Sequence, residues 1–327
     1  MVTVAIPTLA AADTLDQCLA ALDNQQLQCL EIIVIDNSGR GAVKPHGRVR
    51  VISNDRNAGF GAAVNQAFRE SSAPFFAVLN DDTIADRDWL AALVQAMEGR
   101  PEVGMCASDV RLAGDGRMDS AGMLLCLDGS SKQRGHLKPS ETYSQTEEVL
   151  LPSCSAALFR RTMLEDIGLF DESFFLYCED TDLGLRARWA GWKCLYVPGA
   201  IVEHLYSHSA GRASPLKAYY VERNRLFLIV KNFPIPELLL APLRSMARYF
   251  WHLVFAIRGT GKAAEFSRDG NSTARLGLFV VRAHLSLLSN FPALWQKRRA
   301  MKRRLTTREF RQLIRRFGIS PRQVAEL

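Results

Sequence analysis

The sequence predicts an α/β fold in which a mostly parallel central sheet is flanked by helices and followed by a helical, basic extension. The first hundred residues alternate short apolar runs with segments of helical periodicity, the pattern of buried parallel strands and crossover helices. A chain of 327 residues that is 48% hydrophobic can bury one large core plus an appendage. The charge is divided, because residues 215–327 carry 22 Lys and Arg against 6 Asp and Glu, whereas residues 1–214 carry 19 against 28.

Four apolar runs are predicted to be parallel strands, and polar residues follow each of them. Right-handed crossovers bring the carboxyl ends of parallel strands to one edge of a sheet, where ligands bind. The polar residues are therefore expected to meet at that edge. The runs are Val2–Ile6, Glu31–Ile35, Val49–Ser53 and Phe75–Leu79. The candidate site residues that follow them in the sequence are Pro7, Thr8, Asp36, Asn57, Gly59, Asp81 and Asp82.

Helical segments separate these runs. Asp13 is placed to cap a helix whose apolar residues recur at helical spacing over residues 15–22. A second helix is predicted through Ala63–Phe68. A third, over residues 89–97, is apolar on one face and ends at Gly99.

The fourth run ends on Asn80, Asp81 and Asp82, which places two carboxylates side by side. Adjacent carboxylates repel each other unless a cation or a hydrogen-bond network offsets the repulsion. One interpretation is a divalent metal that carries a phosphorylated ligand. The alternative is a strand-to-helix turn in which Asp86 caps the next helix, and the tripeptide alone does not decide between them.

A glycine-containing loop, Asn57–Gly61, follows the third run. It has only two of the three glycines of a dinucleotide-binding fingerprint and does not follow the first strand, so that cofactor site is disfavoured. The glycines would instead let the backbone approach a nucleotide or phosphate at the N-terminus of the next helix. A simple glycine turn is the alternative.

A second acidic group, Glu179, Asp180 and Asp182, lies beside the predicted helix Leu183–Ala190. The helix dipole favours an anion there, so these carboxylates are expected to be ionised. Asp180 is then either a helix cap, a role that Thr181 could also take, or a general base for an acceptor hydroxyl.

Two further features flank this acidic group. Residues 108–150 contain many glycines and serines and are predicted to be loops or short hairpins that cover the substrate as a mobile region. Two short strands, Lys193–Val197 and Ala200–Glu203, are predicted to lead to His204. A lone histidine is more often structural than a ligand, but its place at a strand end makes His204 a candidate metal ligand.

Together these motifs resemble a family 2 glycosyltransferase of the GT-A fold, and specifically its bacterial rhamnosyltransferase-like branch. The resemblance implies an inverting transfer of a sugar from a nucleotide donor, with dTDP-rhamnose as the best guess and Mg²⁺ or Mn²⁺ as cofactor. The acceptor would be a lipid-linked glycan in bacterial cell-surface polysaccharide synthesis. The matching stretches are VAIPT at 4–8, VIDNS at 34–38, NAGFGAAVN at 57–65, LNDD at 79–82, residues 168–193, His204 and residues 219–234.

The resemblance also implies a role for each matching position. Many relatives have Asp where this chain has Asn80, and this branch often has Pro where it has Asp81, so Asp82 is the carboxylate assigned to the metal. The nucleotide would be held by Pro7, Thr8, Asp36, Asn57, Gly59 and Asp81, the metal by Asp82 and His204, and the catalytic base would be Asp180, with Glu179 as the second candidate.

The C-terminal extension becomes apolar and basic after Pro234. Two apolar stretches, Leu238–Ile257 and Leu276–Trp295, contain arginines, so neither is expected to span a membrane. Helices in the membrane interface fit better, with the basic residues of 297–304 on anionic lipid or on the pyrophosphate of the acceptor. A homo-oligomer interface is the next alternative, and nucleic acid is the last because no recognition motif is present. The expected aromatic anchors are Trp251, Phe255, Phe291 and Trp295.

The predicted organisation is a catalytic domain over residues 1–230 and an extension over residues 231–327. The catalytic domain would have a nucleotide-binding half to about residue 105 and an acceptor-side half after it. Seven scattered cysteines without CxxC spacing argue against disulfides or zinc and favour a reducing compartment. With no signal-peptide pattern at the N-terminus, the expected location is cytoplasmic and peripheral, at the inner face of the cell membrane.

Three other functions were weighed against this hypothesis. A transferase that uses another UDP- or GDP-sugar remains open. A sugar-nucleotide nucleotidyltransferase would need a basic glycine-rich loop after the first strand, and residues 7–12 (PTLAAA) contain none. A non-catalytic nucleotide- or carbohydrate-binding subunit is disfavoured, because Asp82, Asp180 and His204 are all present.

Overall fold

A computed structural model describes residues 1–11, 13–45, 47–205, 214–268 and 274–326. It confirms the predicted α/β fold with a helical C-terminal region. The strands are β1 (Val2–Thr8), β2 (Leu30–Asp36), β3 (Val49–Ser53), β4 (Phe75–Leu79), β5 (Thr83–Ala85), β6 (Val103–Leu112), β7 (Met118–Ser120), β8 (Met123–Cys126), β9 (Ser131–Gln133), β10 (Glu147–Val149), β11 (Ala156–Arg160), β12 (Lys193–His204) and β13 (Gly318–Ile319). The α-helices are α1 (Thr14–Asp23), α2 (Phe60–Glu70), α3 (Trp89–Met97), α4 (Arg161–Ile167), α5 (Glu179–Trp189), α6 (Pro215–Asn232), α7 (Ile235–Ile257), α8 (Gly261–Arg268), α9 (Ala274–Ala300), α10 (Thr307–Arg316) and α11 (Pro321–Glu326).

The central sheet has the strand order β10-β12-β6-β11-β4-β1-β2-β3. Strands β1, β2, β3 and β4 are parallel, as predicted, and β1 pairs with β2 so that Thr8 lies opposite Asp36. Strand β11 is inserted antiparallel between β4 and β6. Helices α1 and α3 pack on one face of the sheet, and α2, α4 and α5 pack on the other. The carboxyl ends of the parallel strands therefore share one edge.

Strand β12 corrects the prediction of two separate short strands. It is one strand from Lys193 to His204 with a register shift between Val197 and Ile201, where Pro198 and Gly199 interrupt the ladder. Its last residues pair with β5, so His204 lies opposite Thr83. Asp13 also differs from its predicted role, because its side chain makes no capping hydrogen bond to α1.

Residues 108–150 contain short strands and a hairpin, as predicted. Strands β8, β9 and β13 make a second, three-stranded sheet, while β7 pairs with β6 and β10 pairs with β12. The β8–β9 hairpin needs Gly129 at its turn, since Gly129 has φ +87° and a Cβ there would lie 2.6 Å from the carbonyl oxygen of Arg225. This region is thereby packed against α6.

The C-terminal helices share a core with the α/β body. Helix α6 spans the predicted boundary at residues 230 and 231. The rings of Trp189 and Phe310 stack with centroids 3.9 Å apart, which joins α5 to α10. The cations of the extension also bind the body, since Lys297 contacts Asp171 and both Lys302 and Arg304 contact Asp166.

Helices α7 and α9 expose long apolar faces. Leu239 is 73% exposed and Ile257 is 78% exposed, and similar side chains recur between them at helical spacing. Among the described residues one helix, Arg275–Ala300, is long and apolar enough to cross a membrane, which revises the expectation for that stretch. Core helices of soluble proteins can pass the same test, although only 6% of this helix's apolar window is buried. Phe255, an expected membrane anchor, is buried in the protein core instead.

Candidate active site

A cavity of about 1000 Å³ opens at the carboxyl edge of the sheet. Its volume lies at the upper end of the range for ligand pockets, which leaves room for two substrates. Two of the predicted site residues do not line it, Asp36 and Gly59. Those that do are Pro7, Thr8, Asn57, Asp81, Asp82, Glu179, Asp180 and His204.

Asp36 and Gly59 support the cavity from behind. The carboxylate of Asp36 is buried and accepts hydrogen bonds from the amides of Ser38 (2.9 Å) and Val43 (3.0 Å). Burial alone would raise the pKa of Asp36, but these hydrogen bonds outweigh it and lower the pKa below its usual value. Gly59 has φ +89°, and a Cβ there would lie 2.6 Å from the carbonyl oxygen of Phe175. Its glycine character is required by packing against that loop.

Asp81 is tied to the first strand. The hydroxyl of Thr8 donates a hydrogen bond of 2.5 Å to Oδ2 of Asp81, and the amide of Ala10 donates to the same hydroxyl at 2.9 Å. Burial and the neighbouring charge of Asp82 raise the pKa of Asp81, whereas the Thr8 hydrogen bond opposes them. The two strand ends are thus brought together as the parallel topology predicts.

A carboxylate–imidazole–carboxylate chain lies at the centre of the cavity. Nε2 of His204 is 3.2 Å from Oδ1 of Asp82, and Nδ1 of His204 is 2.9 Å from Oδ2 of Asp119. The other oxygen of Asp119 is 3.1 Å from Nδ1 of His136. Burial would lower the pKa of His204, but its hydrogen bonds to the carboxylates of Asp119 and Asp82 raise it to about 9. Burial would raise the pKa of Asp119, but the two histidines lower it to about 2.

This donor set fits a divalent cation. A histidine that binds a metal through one ring nitrogen commonly has its other nitrogen held by a carboxylate, as Asp119 holds His204. Within the described ranges no group of three or more His, Cys, Asp and Glu side chains converges in a geometry for metal binding. Asp82 and His204 would therefore supply two ligands, with the remainder from substrate oxygens and water. Sequence reasoning missed Asp119, which lies in the segment predicted to be loops.

Glu179 and Asp180 form a second acidic group at the start of α5. Oδ1 of Asp180 accepts hydrogen bonds from the amide (2.6 Å) and hydroxyl (3.1 Å) of Thr181. Oε2 of Glu179 is buried without a hydrogen-bond partner. Burial and the charge of Asp180 raise the pKa of Glu179 to about 8, and burial also raises the pKa of Asp180. The expectation that the helix dipole keeps all three carboxylates ionised is confirmed for Asp182, whose pKa is lowered. At Glu179 and Asp180 desolvation and mutual repulsion are larger effects and raise the pKa.

The loop before α5 is held in an unusual conformation. Phe175, Tyr177 and Cys178 all have positive φ, between 64° and 67°, which costs free energy in residues with a Cβ. The side-chain amide of Asn224 donates hydrogen bonds to the carbonyl oxygens of Phe174, Leu176 and Tyr177, the closest being Tyr177 at 2.7 Å. Asn224 is fully buried on α6 and was not found from the sequence. It positions the start of α5 toward the cavity.

Comparison with known proteins gives independent evidence on fold and family. The sequence model described as "Glycosyl transferase family 2" matches residues 3–168. The N-acetylglucosaminyl-diphospho-decaprenol L-rhamnosyltransferase of Mycobacterium tuberculosis (strain H37Rv) is 29% identical over 243 residues, which cover 65% of this chain and 79% of that protein.

Two solved structures share the fold at low sequence identity. GalNAc-T7 with UDP, GalNAc and Mn²⁺ has a TM-score of 0.55 and 17% identity, covering 68% of this chain and 47% of that one. The mannosyltransferase PcManGT from Pyrobaculum calidifontis, in complex with GDP-Man and Mn²⁺, has a TM-score of 0.51 and 16% identity, covering 92% and 84%. The chain thus spans about half of GalNAc-T7 and most of PcManGT. These likenesses confirm the expected GT-A fold.

Proposed function

The chain belongs to glycosyl transferase family 2 and is a glycosyltransferase, and from this premise we propose that it transfers a sugar to a lipid-linked glycan acceptor with inversion. The printed activity of its mycobacterial relative supports rhamnose as the first candidate sugar, with dTDP-rhamnose as the donor. The product would enter bacterial cell-surface polysaccharide synthesis. Another UDP- or GDP-sugar is the alternative donor.

The observation that carries the proposal is that two different acidic groups face one cavity. Asp82 lies in the chain of charges with His204 and Asp119, whereas Glu179 and Asp180 have no cationic partner among the described residues. A sugar transfer needs both kinds of site, one for a donor diphosphate with its metal and one for the proton of the acceptor.

The first group would hold the donor. Asp82 and His204 would bind Mg²⁺ or Mn²⁺, which would neutralise negative charge on the departing diphosphate. Thr8, Asp81 and Asn57 line the cavity beside them and would contact the nucleoside and the sugar. The short Thr8–Asp81 hydrogen bond would orient that carboxylate without adding a second metal ligand.

The second group would remove the acceptor's proton. Glu179, whose pKa is about 8, is mostly protonated near neutral pH, and we assign the role of base to the ionised form of Asp180, whose pKa is also raised by burial. Asp180 would accept the proton of the acceptor hydroxyl as that oxygen forms its bond to the anomeric carbon. The nucleoside diphosphate would leave from the opposite face of the sugar, so the anomeric configuration inverts.

The exposed apolar faces of α7 and α9 would place the enzyme at the inner surface of the cell membrane. Exposed apolar patches of this length mark interaction surfaces, and a lipid acceptor must be reached from the bilayer. Most of the basic residues expected to contact lipid have protein partners instead. Lys297 binds Asp171, for example, and Arg298 donates to the carbonyl oxygen of Val230. Membrane contact would therefore depend on apolar side chains, and a homo-oligomer that covers the same faces is the alternative.

Donor binding by calorimetry tests the proposal. The full-length wild-type protein is titrated with dTDP-rhamnose, UDP-sugars and GDP-sugars, each with and without Mn²⁺. We expect one donor to bind in a metal-dependent manner, and Asp82→Ala to lose that dependence. Metal-dependent binding of a UDP- or GDP-sugar alone would replace rhamnose in the proposal. Full metal-dependent affinity in Asp82→Ala would contradict the ligand assignment.

A further inference from the structure

Several basic side chains line the same cavity as Asp82. Lys132 lies on β9, Lys217 on α6 and Lys262 on α8, and α7 adds Arg248 and His252. The sequence analysis did not assign a role to Lys132, Lys217 or Lys262. The tertiary fold brings these five residues together from four separate elements.

Most of these cations already have anionic partners. Arg248 lies 2.7 Å from Glu222 and 2.6 Å from Asp128, and Arg225 forms a further ion pair with Glu222. Lys262 lies 2.9 Å from Glu265. The charges of these pairs approximately cancel within the cavity wall. His252 adds no charge near neutral pH, because burial and Arg248 lower its pKa to about 3.

Lys132 and Lys217 are the exceptions. Within the described part of the chain, neither side chain has a carboxylate at ion-pair distance, and Lys217 has only the ring of Tyr177 at 5.7 Å. Burial and the nearby cations Lys262, Lys217 and Arg248 lower the pKa of Lys132 to about 7. Burial and Lys262 also lower the pKa of Lys217. Glu265 attracts both lysines and Asp119 attracts Lys217, but neither carboxylate is at ion-pair distance from them. Ammonium groups removed from water without a contacting counter-ion are costly, so this part of the cavity is complementary to an anion.

Apolar side chains border the two lysines. Phe266 of α8 and Leu276, Phe279 and Val280 of α9 line the same cavity. Helix α9 also carries the exposed apolar face described above, with Leu278 63% exposed and Leu285 60% exposed. An anion that enters here would therefore have apolar side chains of α8 and α9 beside it, whereas the exposed apolar face of α9 lies on the other side of that helix.

We propose that Lys132 and Lys217 bind the phosphate groups of the acceptor's lipid carrier, whose apolar tail contacts the cavity side of α9. The proposal rests on the proposed function, since it places the acceptor in the cavity that contains Asp180. It assigns the acceptor phosphates to the cavity wall rather than to the basic segment 297–304, whose lysines Lys297 and Lys302 bind carboxylates of the body.

Calorimetry with farnesyl diphosphate, in the presence of EDTA, tests the two lysines without involving the metal site. We expect Lys132→Gln and Lys217→Gln each to weaken binding roughly tenfold or more, the loss typical of one charge-assisted hydrogen bond. Lys138→Gln is the matched control, because Lys138 is exposed and lies outside the cavity. Unchanged affinity in both cavity variants would overturn the proposal.

Proton uptake supplies a second readout that misfolding would not reproduce. At pH 8 Lys132 is mostly neutral, so binding of an anion should raise its pKa and take up a proton. Titrations in two buffers of different ionisation enthalpy measure the number of protons taken up on binding. We expect uptake approaching one proton in the wild type and much less in Lys132→Gln. Equal uptake in both proteins would contradict the assignment of Lys132.

Two further titrations identify the source of the anion. Farnesyl diphosphate should bind more tightly than inorganic pyrophosphate, and equal affinities would overturn the lipid half of the proposal. Saturation with the donor and Mn²⁺ should leave farnesyl diphosphate binding intact, whereas competition would mean that the lysines hold the donor. If no nucleotide sugar binds, the proposed function fails, but the EDTA titrations still decide whether the lysines bind a lipid phosphate.

Discussion

Helix α5 carries two sets of carboxylates whose surroundings are opposite. Asp182 is fully buried and lies 2.8 Å from Nζ of Lys231, 2.9 Å from Nε of Arg186 and 2.9 Å from Nδ2 of Asn232. Burial would raise the pKa of Asp182, but Lys231 and Arg186 outweigh it and lower the pKa below its usual value. In the same turn, Glu179 has no cationic partner among the described residues, and burial and the charge of Asp180 raise its pKa to about 8.

The difference shows that tertiary partners, and not position on the helix, decide which carboxylates are ionised. All three acids lie in the first turn of α5, where the helix dipole acts on each of them. The side of the helix facing α6 is supplied with cations and contributes to the fold. Among the described residues, the side facing the cavity has no such cations. The protein therefore tolerates two buried carboxylates without cationic partners at the place where a proton has to be transferred.

The largest effect is expected from Asp180→Asn. The variant keeps the shape of the side chain and an oxygen to accept from Thr181, but it cannot accept the proton of a hydroxyl. Transfer should fall by roughly 10²- to 10⁴-fold while donor affinity is retained, as measured by initial rates and by calorimetry. Asp115→Asn, at a surface position paired with Arg117, should change the rate less than twofold. Unchanged turnover in Asp180→Asn would reduce this residue to a helix cap.

The next largest effect is expected from Lys231→Met, which removes a cation from the side of α5 that faces α6. Lys231 is buried between Asp171 and Asp182, and loss of one partner in a buried ion pair costs about 3–5 kcal/mol of folding free energy. The midpoint of urea unfolding should fall accordingly. The matched control is Lys302→Met, whose partner Asp166 keeps Arg304, and it should cost less than about 1 kcal/mol. Equal shifts of the urea midpoint in the two variants would contradict the distinction between the buried and the exposed ion pair.

Asp119→Asn tests a carboxylate of the cavity whose charge is balanced by histidines. The amide is nearly isosteric but carries no charge to hold His204, so Mn²⁺-dependent donor affinity should weaken roughly 10- to 100-fold. Calorimetric titration with the donor in the presence and absence of Mn²⁺ measures this affinity. His136→Gln, which alters the other partner of Asp119, should have a smaller effect. Affinity within twofold of the wild type would assign Asp119 to folding alone.

The smallest effect is expected from Glu179→Gln, and it depends on pH. Because the folded protein raises the pKa of Glu179 from 4.5 to about 8, its contribution to stability is present at low pH and is lost as the pH rises through this window. The difference in Tm between variant and wild type should therefore increase by a few degrees from pH 5 to pH 9.

A control separates this effect from general changes of charge. Glu98→Gln, at an exposed position outside the cavity, should give a Tm difference that is flat with pH. A pH-independent difference for Glu179→Gln would show that the carboxyl is not protonated in the folded protein.

The parallel half of the fold and the meeting of Thr8 with Asp81 could be predicted from the sequence. Continuous apolar runs specify buried strands, and the handedness of crossovers then specifies the edge. The antiparallel insertion of β11 could not be predicted, because its apolar run carries no signal of direction. Asp119 and Lys132 were missed for a related reason, since their importance depends on contacts with elements more than 80 residues away.

The contacts of Lys231 bear on how this enzyme could be engineered. Its partners Asp171 and Asp182 precede it by 60 and 49 residues, and one of them lies on the helix that begins with Glu179 and Asp180. A chimera with its crossover between Asp182 and Lys231 would keep these acids without their cation, unless Lys231 is kept with them. Exchange of acceptor preference between relatives therefore calls for substitutions within the cavity, not for a crossover between whole segments.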